Sequence, residues 1–226
     1  MTTYAELVDQ IRNYTETDSN VLTTTIVNDF IENAENRIFR EVDLDAFRSY
    51  QIASLTASNA FVSLPGTGIA DFALIRSVQI YGQSLGNSRV KLEQKDISFM
   101  NEFAPNRTST GAGTPKYYAV YDDDTHMLAP TPNAALTVSL AYTYKPPVLS
   151  STTTSNWVSQ NAPNVLLYGC ILEALGYLKG PADMIQYYDK NYNQSVQALA
   201  TYEMGRDRRD EFRDGVIRIP LESRNP

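Results

Sequence analysis

The last third of the chain holds the pattern that most limits its fold. Residues 163–214 are almost all good helix formers, and only Gly180 and Pro181 interrupt them. Glycine is favoured just past a helix end and proline in a first helical turn, so the pattern predicts two long helices joined by a tight connection. We expect Gly215 to end the second helix and residues 216–226 to follow as an arm with nothing to pack on in their own domain. The pattern therefore favours assembly over catalysis.

The arm and the helix end before it hold the candidate contact residues. The apolar stripe of the second helix runs through Met184, Tyr188, Tyr192, Val196 and Leu199. From Glu203 to Asp214 this stripe fades, and charges of both signs replace it. Because acids lie between the arginines, salt bridges within the helix or between subunits are favoured over nucleic-acid binding. At the helix end, the residues expected to face another subunit or a docking partner are Arg206, Arg208, Arg209 and Phe212. Along the arm, the residues expected to dock are Val216, Ile217, Arg218, Ile219, Leu221 and Arg224.

The N-terminal region also predicts helices. Apolar residues recur every four positions from Leu22 through Phe30 to Ile38, with charged and amide side chains on the opposite face. This spacing is typical of an amphipathic helix. A shorter helix is predicted over residues 4–14. Helices at both ends of the chain thus carry apolar faces, and we expect them to be buried together.

Between the helical regions the hydrophobic period changes to two. Leu136 to Tyr144 alternates most clearly, and Asp122 to Thr125 is typical of a hairpin turn. The prediction is an α+β fold with an inserted domain. Residues 1–47 and 160–214 form a helical bundle, residues 48–159 an antiparallel β domain, and residues 215–226 an extended C-terminal arm.

The charge of the chain limits its relation to nucleic acid. The formal net charge is −7 and the sequence pI is about 4.8. Proteins that grip nucleic acid neutralise its phosphates with basic residues, so this balance argues against such a role. It is compatible with an acidic wall that repels DNA and lets it slide past.

The residues that usually carry enzyme chemistry are scarce. His126 is the only histidine and Cys170 the only cysteine, and no phosphate-binding glycine motif is present. We expect His126 at the surface of a strand end and Cys170 buried in a helix as a small apolar residue. Asp122 to Asp124 could bind a hard cation such as Ca²⁺, but aspartate is also common in hairpin turns. The sequence predicts no enzyme, no cofactor, no metal site and no membrane contact, since no apolar stretch approaches the ~18 residues of a membrane span.

One N-terminal segment resembles a known family. Residues 22–41 read LTTTIVNDFIENAENRIFRE, in which Ala34 to Arg40 matches an Ala-Glu-x-x-Ile/Leu-x-Arg-like helix core. This segment, the helix entry from Trp157 to Leu178 and the order of the parts resemble the head-to-tail adaptor proteins of tailed bacteriophages. These are also called tail tubular proteins A, or neck adaptors, of short-tailed phages.

The resemblance implies a structural protein of the virion neck. Such proteins form a ring, usually a dodecamer, beneath the portal, and DNA passes through the centre as cargo. It implies that the helical part docks on the portal with the arm along it, so that residues 216–224 would be portal-binding. The β domain would face the tail nozzle or the next tail protein, and assembly would take place in the host cytoplasm.

An alternative from another class stays open at this point. A carbohydrate- or receptor-binding β module of a phage tail would carry an exposed aromatic patch on its strands, for which Tyr117, Tyr118 and Tyr121 are the candidates. An enzyme would need carboxylates clustered in one cleft, which the sequence cannot show.

Overall fold

The fold is taken from a computed structural model, which describes residues 2–63, 72–122 and 125–206. Six α-helices and seven strands lie in these ranges. The helices are α1 (Tyr4–Tyr14), α2 (Thr24–Glu41), α3 (Ile97–Phe103), α4 (Trp157–Asn161), α5 (Pro163–Leu178) and α6 (Ala182–Arg206). The strands are β1 (Arg48–Leu55), β2 (Phe61–Ser63), β3 (Phe72–Tyr81), β4 (Val90–Gln94), β5 (Tyr117–Val120), β6 (Thr125–Ala129) and β7 (Leu136–Tyr144).

The strands form one sheet in the order β1-β7-β3-β4-β5-β6-β2. Neighbouring strands are antiparallel with one exception, since β4 and β5 run parallel through the pairs Glu93 with Tyr117 and Gln94 with Tyr118. Helix α3 lies between these two strands in the chain. Parallel neighbours cannot be joined by a tight hairpin and need a crossover, which this helical segment supplies.

The predicted fold class, a helical bundle with an inserted antiparallel β domain, is wrong. The described residues form a mixed α/β protein with six α-helices and a nearly closed seven-stranded sheet. The sheet is mixed because the segment that contains α3 leads the chain back, so that β5 pairs with β4 in the same direction. The sequence predicted this helix, but not that it would act as a crossover.

The chain divides into two compact units. One consists of Met1–Asp45 and Val148–Pro226, and the other of Ala46–Pro147. In the first unit, α5 packs against α1, α2, α4 and α6. Gly169 permits the close approach of α5 to α2, because a Cβ atom built there would lie only 3.0 Å from the Cβ of Ala34.

A buried carboxylate ties the segment before α4 to helix α2 within the first unit. Glu35 is buried on α2, its Oε2 accepts the backbone N–H of Leu149 at 3.2 Å, and its Oε1 accepts the side-chain amide of Asn156 at 2.7 Å. Asn156 also caps α4 by accepting the backbone N–H of Ser159. Buried carboxylates are tolerated when they accept such hydrogen bonds, so Glu35 links the backbone at Leu149 and the N-cap residue of α4 to helix α2.

The second unit has its main core inside the sheet. Val78, Ile80, Val138 and Leu140 are fully buried there. A smaller cluster lies where α3 packs on β5 and β6, and it contains Met100, Ala119, Met127 and Ala129. Strand β6 therefore contributes side chains to a core on each of its faces.

Candidate functional site

The two residues with the most reactive side chains are both enclosed. His126 lies on β6 and is 1% exposed, with its ring 6.2 Å from that of Tyr118. The expectation that His126 is a surface residue was wrong, because β6 is covered on both faces. Cys170 is fully buried in α5, and burial raises the pKa of its thiol, aided by the nearby carboxylates of Glu35 and Glu173. Neither side chain is placed to meet a substrate in solution.

The described residues contain no group of three or more His, Cys, Asp and Glu side chains that could hold a metal ion. Asp123 and Asp124 lie outside the described residues, so the alternative that Asp122–Asp124 binds a cation is not tested by the structure. None of the helices in the described part of the chain combines the length and the hydropathy needed to cross a membrane.

One buried tyrosine of helix α6 contacts residues of α2. Tyr192 has no exposed surface, and its hydroxyl donates to Oε2 of Glu41 at 2.8 Å. The guanidinium of Arg37 lies 4.2 Å from the centre of the Tyr192 ring, and its Nε donates to Oε1 of Glu41 at 2.9 Å. Burial, and then the hydrogen bond to Glu41, raise the pKa of Tyr192. These contacts add to the packing of α6 on α5.

Beyond Tyr192, helix α6 forms one wall of a groove. The α5–α6 groove is lined by Trp157, Asn161, Ala162, Pro163, Asn164, Val165, Ser195, Ala198, Leu199 and Tyr202, and it encloses about 360 Å³. The groove exists because the wall on α6 contains the small residues Ser195 and Ala198, while α4 and the first turn of α5 form the opposite wall. Its volume lies at the lower end of the range of pockets that bind small ligands.

The first turn of α5 adds a polar feature to this groove. Ala162 occupies the N-cap position and its side chain provides no capping hydrogen bond, while Pro163 begins the helix. The N–H groups of a first helical turn lack partners within the helix. The wall therefore combines apolar side chains with backbone donors, a combination that suits an extended chain segment.

The first unit also exposes several tyrosines. Tyr187 and Tyr202 on α6 are 60% and 63% exposed, and Tyr177 near the end of α5 and Tyr14 at the end of α1 are also exposed. Tyrosine is enriched in protein interfaces, because its ring provides apolar area and its hydroxyl a polar contact. The chain has 15 tyrosines, and several of them are thus surface residues.

The second unit carries an aromatic patch on α3 and β5. Phe99 and Phe103 stack with ring centres 5.6 Å apart, and both meet the Tyr117 ring edge-on at 5.2 and 5.0 Å. Lys95 places its Nζ 5.5 Å from the centre of the Tyr117 ring and pairs with Glu93 at 3.2 Å. Both phenylalanines are exposed. We call Phe99, Phe103 and Tyr117 the α3 patch.

The sequence predicted an aromatic patch at Tyr117, Tyr118 and Tyr121, and only Tyr117 of these belongs to the α3 patch. Of its three candidates, Tyr118 is buried, Tyr117 is half-buried in the α3 patch, and Tyr121 is exposed and contacts the Phe61 ring at 5.2 Å. The i, i+4 spacing of Phe99 and Phe103 was the signal for the α3 patch, since residues so spaced share one helix face.

The contact residues predicted from the sequence fall mostly beyond the described part of the chain. The arm residues Val216, Ile217, Arg218, Ile219, Leu221 and Arg224 lie outside the described residues, as do Arg208, Arg209 and Phe212 of the predicted helix end. Arg206 is the last residue of α6. The α5–α6 groove was not predicted, although Trp157, the only tryptophan of the chain, marks it.

Comparison with protein families finds a match over most of the chain. The family model described as "SU10 adaptor protein" matches residues 2–219. The search of curated proteins found no significant match.

Proposed function

The chain belongs to the SU10 adaptor protein family, and we propose that it forms a ring that connects a phage portal to the tail and lets DNA pass through its channel. Membership makes the chain a structural adaptor protein of a phage virion, with a role in linking head and tail. The observation that carries the proposal is the extent of the match, which includes both compact units. The ring, the channel and the partners are the proposed part.

The proposed ring is a dodecamer in the neck of a short-tailed phage, assembled in the host cytoplasm. A closed ring requires two different surfaces on each subunit, because each copy contacts its neighbours head to tail. The exposed tyrosines of the first unit supply contact area that an isolated subunit leaves in water. Such residues favour a surface that becomes covered on assembly.

The proposed relation to DNA is passage without tight binding. A net charge of −7 opposes the neutralisation of phosphates on which DNA affinity depends. We therefore expect the channel to be lined by acidic and neutral side chains. Salt-sensitive, tight binding of duplex DNA to the assembled ring would contradict this part of the proposal.

The proposed contact with the portal uses the arm and the helix end before it. Val216, Ile217, Ile219 and Leu221 would enter an apolar groove of the portal, and Arg218 and Arg224 would pair with its acids. The helix end with Arg206, Arg208, Arg209 and Phe212 would face the portal or the next subunit. An extended segment of this kind binds by adding a strand or by placing alternate side chains in pockets.

The α3 patch is the proposed contact for the tail nozzle or the next tail protein. Aromatic residues are the commonest anchors of protein interfaces, and here three rings and a lysine are grouped on one helix and strand. The same patch is the observation that favours the second candidate function, a carbohydrate- or receptor-binding module, because sugars stack on exposed aromatic rings.

One double variant and its control distinguish a contact with the tail nozzle from a carbohydrate- or receptor-binding function of the α3 patch. Phe99→Ala with Phe103→Ala should leave portal binding unchanged and weaken binding of the tail nozzle, measured by sedimentation velocity with each partner. The matched control is Tyr121→Phe, which alters an exposed ring outside the patch by one hydroxyl. If the double variant instead loses binding to host cell-surface polysaccharide while nozzle binding persists, the second function is correct for this surface.

The portal contact has its own test. A chain truncated after Gly215 should no longer sediment with portal rings, whereas Tyr187→Phe should still do so. Portal binding by the truncated chain with unchanged affinity would show that the arm is not the portal contact.

A further inference from the structure

The outer face of the sheet exposes apolar side chains where strands β1, β7 and β3 pair. Residues that face each other across neighbouring strands lie on the same side of a sheet. Ile52 pairs with Ser139, and Ser139 pairs with Gln79, so these three side chains share the side opposite the main core. On that side Tyr50 is 70% exposed, Ile52 62% and Leu74 54%. We call this side of β1, β7 and β3 the outer sheet face.

The size of the outer sheet face limits what can cover it. Eight residues of β1 pair with β7, which gives a length of ~26 Å, and three strands give a width of ~14 Å. The resulting area of roughly 360 Å² is about half of the ~800 Å² that each partner buries in a stable interface. Small side chains such as Ser139 and Ala141 lie at its centre, so the face is a broad surface and not the concave pocket that a small ligand needs. The occupant is therefore another macromolecule.

Basic side chains lie at the rim of the outer sheet face. Lys91 on β4 is exposed and pairs with Gln79, and the guanidinium of Arg89 lies 4.9 Å from the centre of an aromatic ring on β3. Glu93, the acid that follows on β4, pairs with Lys95 at 3.2 Å. An apolar centre with a charged rim is the composition of a protein interface. A surface that binds DNA is more polar and carries many more cations.

The two compact units of the chain differ in charge. Residues 46–147 hold eight Lys and Arg and seven Asp and Glu, which gives the second unit a formal net charge of +1. Since the whole chain carries −7, the residues of the first unit carry −8. The basic rim of one copy is therefore complementary in charge to the first unit of another copy.

The turn between α1 and α2 is a surface of the first unit that fits the outer sheet face. Tyr14 at the end of α1 is 49% exposed, and Val21 before α2 is 47% exposed. The acids Glu16 and Asp18 lie between them and are also exposed. The carboxylate of Asp18 accepts the backbone N–H of Val21 at 3.1 Å, which ties the turn together. The turn thus combines apolar side chains with acids, where the sheet combines them with basic residues.

We propose that the outer sheet face of one copy packs against the α1–α2 turn of the next copy in the ring. This inference rests on the proposed function and names the two surfaces that its ring requires. The apolar side chains of the two surfaces meet, and the basic rim of the sheet pairs with the acids of the turn. A second copy is the occupant because the chain itself carries a surface of opposite charge. The two surfaces differ, as a head-to-tail contact demands.

A double variant of the sheet tests the apolar part of the contact. Tyr50→Thr with Ile52→Thr introduces β-branched side chains that suit a strand, and it should leave the chain without rings in native mass spectrometry, alone and mixed with portal rings. Val120→Thr alters a 45% exposed apolar residue of β5 outside this face and should assemble like the unmodified chain. Because all these side chains are exposed, the urea midpoint of unfolding should stay the same.

Charge reversal tests which two surfaces meet. Lys91→Glu on the sheet and Glu16→Lys on the turn should each weaken subunit association by about tenfold at low salt. The loss should shrink as added salt screens the charges. Both substitutions in one chain should restore assembly, because every contact of the ring then pairs the reversed charges with each other.

The outcomes separate this inference from the proposed function. Rings of unchanged stoichiometry from the Tyr50→Thr and Ile52→Thr variant would overturn the inference and leave the ring itself standing. Failure of the combined charge variant to recover would show that these two surfaces do not meet. Rings that persist while binding of the tail nozzle is lost would make the tail protein the occupant and overturn the inference. An unmodified chain that forms no ring, alone or on portals, would contradict the proposed function and this inference together.

Discussion

The contact between Tyr192 and Glu41 predicts a stability difference that disappears at high pH. Tyr192→Phe keeps the buried ring and removes only the hydroxyl that donates to Glu41 at 2.8 Å. A hydrogen bond to a charged acceptor contributes ~1.5–3 kcal/mol to stability when both groups are buried. Because the Glu41 side chain is 37% exposed and water can replace its lost donor, we expect the substitution to cost about 1 kcal/mol at pH 7.

The pKa of Tyr192 decides how this cost varies with pH. Burial and Glu41 raise that pKa, so the folded chain keeps the phenol protonated where the unfolded chain ionises it, near pH 10. The stabilisation is fully present below pH 10 and is lost as pH rises above it toward the folded value. Each pH unit in this window removes about 1.4 kcal/mol from the unmodified chain and nothing from the phenylalanine variant. The difference between the two should therefore close near pH 11.

Urea unfolding followed by Trp157 fluorescence measures this difference, since Trp157 and Tyr192 lie in the same compact unit. At pH 7 the variant should also melt ~2–4 °C lower, as expected for 1 kcal/mol in a domain of this size. Tyr187→Phe removes a hydroxyl from an exposed residue of the same helix and should change neither value. A free-energy difference that stays constant from pH 7 to pH 11, or is absent at pH 7, would refute the assignment of this contact.

Two further stability predictions follow from the first unit. Glu35→Ala removes the acceptor of two buried hydrogen bonds and should lower the free energy of unfolding by ~2–3 kcal/mol. Glu32→Ala, on the exposed face of α2, is the control and should change it by less than ~0.5 kcal/mol. Urea unfolding measures both values. Gly169→Val forces atoms against Ala34 and should cost ~1–3 kcal/mol, whereas Gly176→Ala, which meets nothing within 4 Å, should add up to ~1 kcal/mol. Equal effects of the two glycine substitutions would contradict the close approach of α5 and α2.

Much of the secondary structure could be predicted from residue spacing. Apolar residues at every fourth position from Leu22 to Ile38 predicted helix α2. The alternation of residues from Leu136 to Tyr144 predicted strand β7 with the bounds that the structure has. These patterns are readable because one face of each element is buried and the other is not. Tyr192 belonged to the apolar stripe predicted for the last helix, and it is buried.

The features that the sequence could not reveal depend on contacts between distant segments. The parallel pairing of β4 with β5 involves two residue pairs, and no local pattern distinguishes it from an antiparallel pairing. His126 was expected at the surface because a strand next to a hairpin turn is often exposed. In the structure it is buried on the face of β6 that carries Leu128, beside the ring of Tyr118 in the main core of the sheet. The α5–α6 groove arises because Ser195 and Ala198 are too small to fill the space opposite α5. The spacing of apolar residues along the sequence does not show this.

The central claim is that this adaptor assembles as a ring on the portal. Native mass spectrometry of the chain alone and mixed with portal rings tests it most directly, because mass gives the stoichiometry of each species. The account predicts a discrete complex in which one portal ring carries one ring of this chain, with a dodecamer as the expected size. A chain that stays monomeric at all concentrations tested and forms no complex with the portal would contradict it.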